Sequence, residues 1–163
     1  MAGKEDILKL LRGQGIWFEI TEHKAVYHMD ELCETELPYP DGNAKNLFVG
    51  DDKRKHFYLI TVKGRKRVHL KELRRAKETR HLNFCSECEL MSILGLTAGA
   101  VTPFGVLNDE KRQVKVFFDR DFLHDPGVIG VHPNDNTATV WLKTADLADL
   151  IEEHGNKIEF VSI

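Results

Sequence analysis

LMSILGLTAGAVTPFGVLN, residues 90–108, runs nineteen positions without a charge in a 163-residue chain where 30% of residues are charged. A membrane span, a piece of core and a neutral loop lining a binding site all compete to explain it. A span needs about twenty predominantly apolar residues, and this stretch holds three glycines, two threonines, a serine, an asparagine and Pro103. It is no span. Its front end reads instead as a capped helix over 86–94. The Ser86 side chain can accept from first-turn amides while Glu89, three residues on, reaches back to the Ser86 amide. Leu90, Met91, Ile93 and Leu94 supply an apolar face, and Gly95 is the stop. The remainder, LTAGAVTPFGV at 96–106, is small and framed by glycine and proline. A plain structural turn and the wall of a binding site both remain open for it.

Working outward, 163 residues at 42% hydrophobic are enough to bury one good core, which predicts a single domain over 1–163. Met1-Ala-Gly-Lys-Glu-Asp is charged and leads straight into a helical pattern, unlike a secretory leader. Three cysteines make no disulfide framework, so a reducing cytoplasm is the expected location.

The net charge of −3 conceals an asymmetry. Residues 53–80 contain twelve Lys and Arg against two acids, which leaves 11 basic and 24 acidic residues elsewhere from totals of 23 and 26. Such a block attracts polyanions, because each phosphate neutralised releases counterions. Charge alone favours a solvated face, with a nucleic-acid surface as the main alternative.

The pattern along the chain alternates helices and strands. Lys4–Arg12 is helical, ended by Gly13 and Gly15, and Trp17–Ile20 reads as a strand. A second helix is predicted over Tyr27–Thr35 and a loop over Leu37–Gly42. Strands follow at Lys45–Val49 and His56–Val62, then a basic helix at Leu70–Lys77. Beyond the uncharged stretch, Val114–Phe118, Val128–Val131 and Thr137–Leu142 read as strands. A helix over Thr144–His154 has Thr144 as its cap and Gly155 as its stop, and Lys157–Ile163 closes as a strand. Hairpin-like neighbours beside helical crossovers predict an α/β fold with a mixed sheet.

Cys85-Ser-Glu-Cys88 is half of a zinc site, but a structural site needs four ligands and no second CxxC or CxxH exists. No local signature pairs a cysteine nucleophile with one of the eight histidines. Three other features carry more chemistry together than singly. Lys45-Asn46 opens the apolar strand LFVG. Gly99-Ala100-Val101-Thr102-Pro103 exposes backbone amides that can cradle a carbonyl or a developing oxyanion. Gly130-Val-His132-Pro-Asn134-Asp-Asn136-Thr-Ala is a polar turn between strands.

Taken in order, Lys-Asn on an early strand, GxxxP after a helix, and VHPNDNTA between late strands resemble the bacterial prolyl-tRNA editing proteins of the YbaK/ProX superfamily. These are free-standing relatives of the insertion domain of bacterial prolyl-tRNA synthetase. The resemblance extends through HLNFCSECELMSILGLTAGAVTPFGVLND and HPNDNTATVWLKTADLADLIEEHG, and it is closer to the ProX branch acting on alanine than to the YbaK branch acting on cysteine. One departure is Lys24 after His23, where these proteins often carry proline in an HPPV-like segment.

The resemblance implies one mostly antiparallel mixed central sheet flanked by helices, and hydrolysis in trans of alanine mis-esterified to tRNA(Pro). It implies Lys45, Asn46, Gly99 and His132 as the catalytic set, with Ala100, Val101, Thr102, Pro103 and Val26 lining the pocket. Arg65, Lys66, Arg67, Arg74, Arg75 and Lys77 of the basic block would hold tRNA through its phosphates. The implied partners are the mischarged tRNA(Pro) acceptor end and prolyl-tRNA synthetase, with a monomer, no DNA, no membrane, no metal and no cofactor. Two rival readings remain open at this stage: a non-catalytic tRNA-binding module, and a relative of the fold that binds a free amino acid or other metabolite.

Overall fold

The computed structural model describes residues 2–23 and 37–163. The predicted helix over Tyr27–Thr35 and the pocket residue Val26 lie outside the described residues. Helix α1, Lys4–Gly13, turns Ile7, Leu8 and Leu11 inward, and Gly15 at φ +67° lets the chain reverse into β1, Phe18–Glu22. Strands β2, Ala44–Asp51, and β3, Phe57–Lys63, form an antiparallel hairpin. Helix α2 is Leu70–Lys77, as its basic pattern predicts. A three-residue strand β4, Leu82–Phe84, then adds to β2. It is too short to carry a legible alternation.

Helix α3, Glu87–Leu94, is capped as its sequence predicts. The Glu89 amide donates to Ser86 Oγ at 3.1 Å, the Ser86 amide donates to Glu89 Oε1 at 3.0 Å, and Gly95 ends the helix in the left-handed region. Of its expected apolar face, Leu90 and Leu94 are buried and Ile93 packs against the core, but Met91 is exposed. The last elements are β5 (Val114–Asp119), β6 (Val128–Val131), β7 (Ala138–Lys143), α4 (Thr144–His154) and β8 (Ile158–Val161). Thr144 is not the cap of α4. Lys143 occupies that position, and Thr144 is fully buried with its hydroxyl donating to the Phe122 carbonyl at 2.9 Å.

The architecture is α/β with mixed strand pairing, four of its six strand pairs being antiparallel. The strands divide into a five-stranded sheet, β4-β2-β3-β5-β8, and a three-stranded antiparallel sheet, β1-β7-β6. A single parallel bridge, Asn43↔Gly130, stitches the start of β2 to β6. The larger sheet is covered on both faces, which is why β3 and β5 read as continuous apolar runs. One face meets α1, α3, α4 and the smaller sheet through Phe48, Phe57, Leu59, Val116 and Phe118. The other meets α2 through Val49, Ile60, Val62, Phe117 and Leu73.

The opening stretch divides. After α3, Leu96 is buried, residues 97–98 are exposed, and Gly99 is half-buried within a 3-10 turn, Ala98–Ala100. A second turn, Pro103–Asn108, then dives into the core with Phe104 and Val106 fully buried. Gly105 makes room there, since a Cβ would stand 2.5 Å from Leu96 Cδ1 and the buried leucine would have to shift. The back half of the presumed pocket wall is therefore core, and only its front half reaches the surface.

Candidate active site

Two of the three motifs meet in space. Thr102, fully buried, donates its hydroxyl to the backbone carbonyl of His132 at 2.5 Å, thirty residues away. The same oxygen accepts from the Phe104 amide at 3.4 Å. The Gly99–Pro103 turn is thereby fastened to the strand end that carries His132. Within the turn, Ala100, Thr102 and Pro103 are buried and build its shape. Gly99 and Val101 are half-buried and are the parts a ligand can reach. The Ala100 amide is taken by the Thr97 carbonyl at 3.0 Å, whereas the Gly99 amide has no backbone partner among the described residues.

His132 leaves β6 with a defined tautomer. Its Nδ1 lies 2.8 Å from the Ala138 carbonyl, and a carbonyl only accepts, so Nδ1 carries the hydrogen. Nε2 is then the acceptor of the neutral ring. Burial disfavours the imidazolium and holds the His132 pKa below the ordinary histidine value, although the Ala138 bond opposes the shift. Activity that needs neutral His132 should accordingly persist below pH about 6.5. It should fail only as pH falls through the depressed value, because protonation removes the Nε2 acceptor. A kcat/KM profile with its acid limb at or above pH about 6.5 would contradict this.

The polar turn after His132 is internally braced. Asp135 Oδ1 accepts from the Thr137 amide at 2.7 Å, and Asn134, at φ +60°, donates from Nδ2 to the Ala2 carbonyl at 2.9 Å. Gly130 sits under the indole of Trp141, where a Cβ would come within 2.3 Å of the ring. The strand leading to His132 is thus pressed against a large fixed side chain.

His23 is a residue that sequence reasoning passed over. Its ring contacts that of His132 edge-on at 5.9 Å between centroids, and its Nε2 lies 3.0 Å from Thr139 Oγ1. The only signal available was its place before Lys24.

Lys45 and Asn46 are adjacent on β2 and so project to opposite faces. Asn46 stands on the Phe48 side, paired with Thr61 of β3, whose hydroxyl donates to Asn46 Oδ1 at 2.6 Å. Lys45 stands on the Val49 side and donates from Nζ to the Lys66 carbonyl. The Asn43↔Gly130 bridge is parallel, so Lys45 and His132 each lie two residues beyond it in the same direction. The bridge thus links the two backbones, while the Lys45 side chain leaves β2 on the face opposite the smaller sheet and Asn46 braces the hairpin.

The basic block is sorted by its partners. Lys66 is bound between Asp119 and Asp121, and Lys77 is paired with Glu159, so both are committed within the fold rather than presented to phosphates. Among the described residues, Arg65 pairs only with Asp41, in a largely exposed contact. Arg67, Arg74 and Arg75 are exposed and have no carboxylate partner among the described residues. Cys85, half-buried, has its thiol pushed up to about 12 by burial and by Glu89, which makes it a poor nucleophile. No cluster of three or more metal-ligating side chains occurs among the described residues. Nor, among those residues, is any helix long and apolar enough to cross a membrane.

Comparison with known proteins gives the family. The aminoacyl-tRNA editing domain family matches residues 23–150, and the chain belongs to that family. Editing an aminoacyl-tRNA is hydrolysis of its ester, so the protein is an aminoacyl-tRNA deacylase. It is 36% identical to the prolyl-tRNA editing protein ProX of Acetoanaerobium sticklandii, over 100% of this chain and 99% of that protein. It is 30% identical to the prolyl-tRNA synthetase associated domain-containing protein 1 of Danio rerio, over 92% of this chain and 82% of that one. A solved structure described as a candidate trans-editing enzyme for prolyl-tRNA synthetase superposes with a TM-score of 0.69 at 17% identity, covering 100% and 99% of the two chains, and shares the fold.

Proposed function

We propose that this protein acts in trans on the errors of prolyl-tRNA synthetase, hydrolysing alanine from mischarged tRNA(Pro). The observation that carries the reading is the Thr102–His132 clasp, which joins a small-residue turn to a neutral histidine. The near full-length similarity to a ProX editing protein supports the tRNA(Pro) assignment. Alanine is smaller than proline, and a missing methylene or two costs a synthetase pocket only about 1–3 kcal/mol of discrimination. A second sieve that admits alanine and excludes proline corrects the error.

An aminoacyl ester is already activated, so water suffices as the nucleophile, aligned with help from the neighbouring ribose hydroxyl. The Gly99 amide faces the carbonyl oxygen as negative charge develops on it. Nε2 of His132 accepts a hydrogen bond from the water or the ribose. The Lys45 ammonium, with one N–H on the Lys66 carbonyl, offers its others to the terminal phosphate, the ribose or the carbonyl. Neither metal nor cofactor enters this scheme. The protein works as a cytoplasmic monomer on the free tRNA or beside the synthetase.

A deacylation panel of alanyl-, cysteinyl-, seryl- and prolyl-tRNA(Pro) tests the assignment. Alanyl-tRNA should be cleared fastest and prolyl-tRNA spared. Tight tRNA binding without hydrolysis would identify an RNA-binding module instead, and saturable binding of free alanine indifferent to tRNA would identify a metabolite binder.

The acceptor stem would lie against the free cations Arg67, Arg74 and Arg75. Reversing Arg74 and Arg75 to glutamate should weaken tRNA binding and lower the slope of log affinity against log salt by up to about two. Hydrolysis of a minimal aminoacyl ester should stay intact. An unchanged salt slope would reduce this patch to a solvated face.

A further inference from the structure

We infer that Lys66 is a positioning residue that aims Lys45, and that its ammonium, drawn inward by Asp119 and Asp121, serves this purpose rather than RNA binding. The inference rests on the proposed role of Lys45. Lys66 closes the turn after β3, with its amide donating to the Lys63 carbonyl at 2.9 Å. Its Nζ lies 2.9 Å from Asp119 Oδ2, 2.6 Å from Asp121 Oδ2 and 2.9 Å from the Ile163 carbonyl. Three acceptors saturate the ammonium. Burial opposes the charge, and the two carboxylates overcome it, so Lys66 is held above the ordinary lysine range. A cation so committed has nothing left for a phosphate.

The backbone of the same residue does the positioning. The Lys66 carbonyl accepts from Lys45 Nζ, so wherever the turn sits, the Lys45 ammonium follows. Two further contacts fix the turn, one to the end of β5 and one to the residue that precedes β2. Asp119, fully buried at the end of β5, also accepts from the Lys63 amide at 3.2 Å and the Asp121 amide at 3.0 Å. The Gly64 amide donates to the Asn43 carbonyl at 2.8 Å, and Asn43 is the residue bridged to Gly130 on the strand of His132. One network therefore ties Lys45, through Lys66 and Asn43, to the strand of the histidine.

A double-mutant cycle of Lys66→Met and Lys45→Ala tests this, scored by alanyl-tRNA deacylation. Lys66→Met alone should lower kcat/KM by at least about fivefold, yet cost less than about twofold in the Lys45→Ala background. The salt slope of tRNA binding should not move, and Lys66→Arg should restore most of the rate. Since Lys66→Met strands a buried carboxylate and can impair folding, Asp121→Asn provides a milder second cycle that leaves Asp119 paired with Lys66. It should show the same non-additivity at smaller amplitude. Additive losses or a reduced salt slope would make Lys66 an RNA contact and overturn the inference. So would full activity in folded Lys66→Met or, where that variant does not fold, in Asp121→Asn. Full activity in Lys45→Ala would instead sink the role of Lys45 itself, so the two failures are distinguishable.

Discussion

Lys45→Ala is expected to lower alanyl-tRNA hydrolysis at least about tenfold, roughly 1.4 kcal/mol of barrier, with the fold retained. The fold survives because Lys45 holds its place through the backbone ladder opposite Val62, which alanine preserves. What the variant loses is a half-buried ammonium whose aim is set by the Lys66 carbonyl. Truncation removes the charge from the proposed site and leaves the sheet intact. The loss should appear with a minimal aminoacyl ester as well as with tRNA if Lys45 polarises the carbonyl or holds the ribose. It should appear with tRNA alone if Lys45 binds a phosphate. A folded Lys45→Ala protein with parental activity on both substrates would remove the residue from the site.

Gly99→Ala is expected to abolish most deacylation, again by about tenfold or more, while leaving the thermal midpoint where it was or slightly higher. Gly99 lies in a right-handed 3-10 turn rather than in the left-handed region, so alanine fits its backbone without strain. At such a position the substitution stiffens the unfolded chain and adds about 0.4–1 kcal/mol of stability. Any loss of activity then reports space and access at the amide rather than folding. No positive φ requires a glycine at this position. Stable Gly99→Ala protein with parental activity would transfer the opening stretch wholly to the core.

Much of the fold was legible because its signals are local. The Ser86/Glu89 box and Gly95 bound α3 within ten residues, and periodicity placed α2, α4 and β6 on their observed limits. Where local reading failed, a longer-range demand had won. Thr144 resembles a helix cap, yet its hydroxyl serves the Phe122 carbonyl, a buried acceptor that only the folded chain brings there. Phe104 and Val106 sit among small residues in the sequence, yet the core closes over them. Lys45 and Asn46 read as a pair because they are neighbours. Strand alternation, itself readable from the sequence, sends them to opposite faces.

The amino-acid sequence by itself determined most of the described elements and their helix ends, the family resemblance and the concentration of positive charge at 53–80, since each depends on residue types within a short window. Only the tertiary structure decided which cations are free. Lys66 meets Asp119 across 53 positions and Lys77 meets Glu159 across 82, whereas Arg74 and Arg75 of the same helix as Lys77 face outward. It also decided that the Gly99–Pro103 turn and His132 form one unit, through a single hydroxyl buried between them. Such pairings depend on how two sheets are stitched and in what register, and no short window carries that information. A hydrogen bond or ion pair exists only where folding has already brought its partners within about 3 Å.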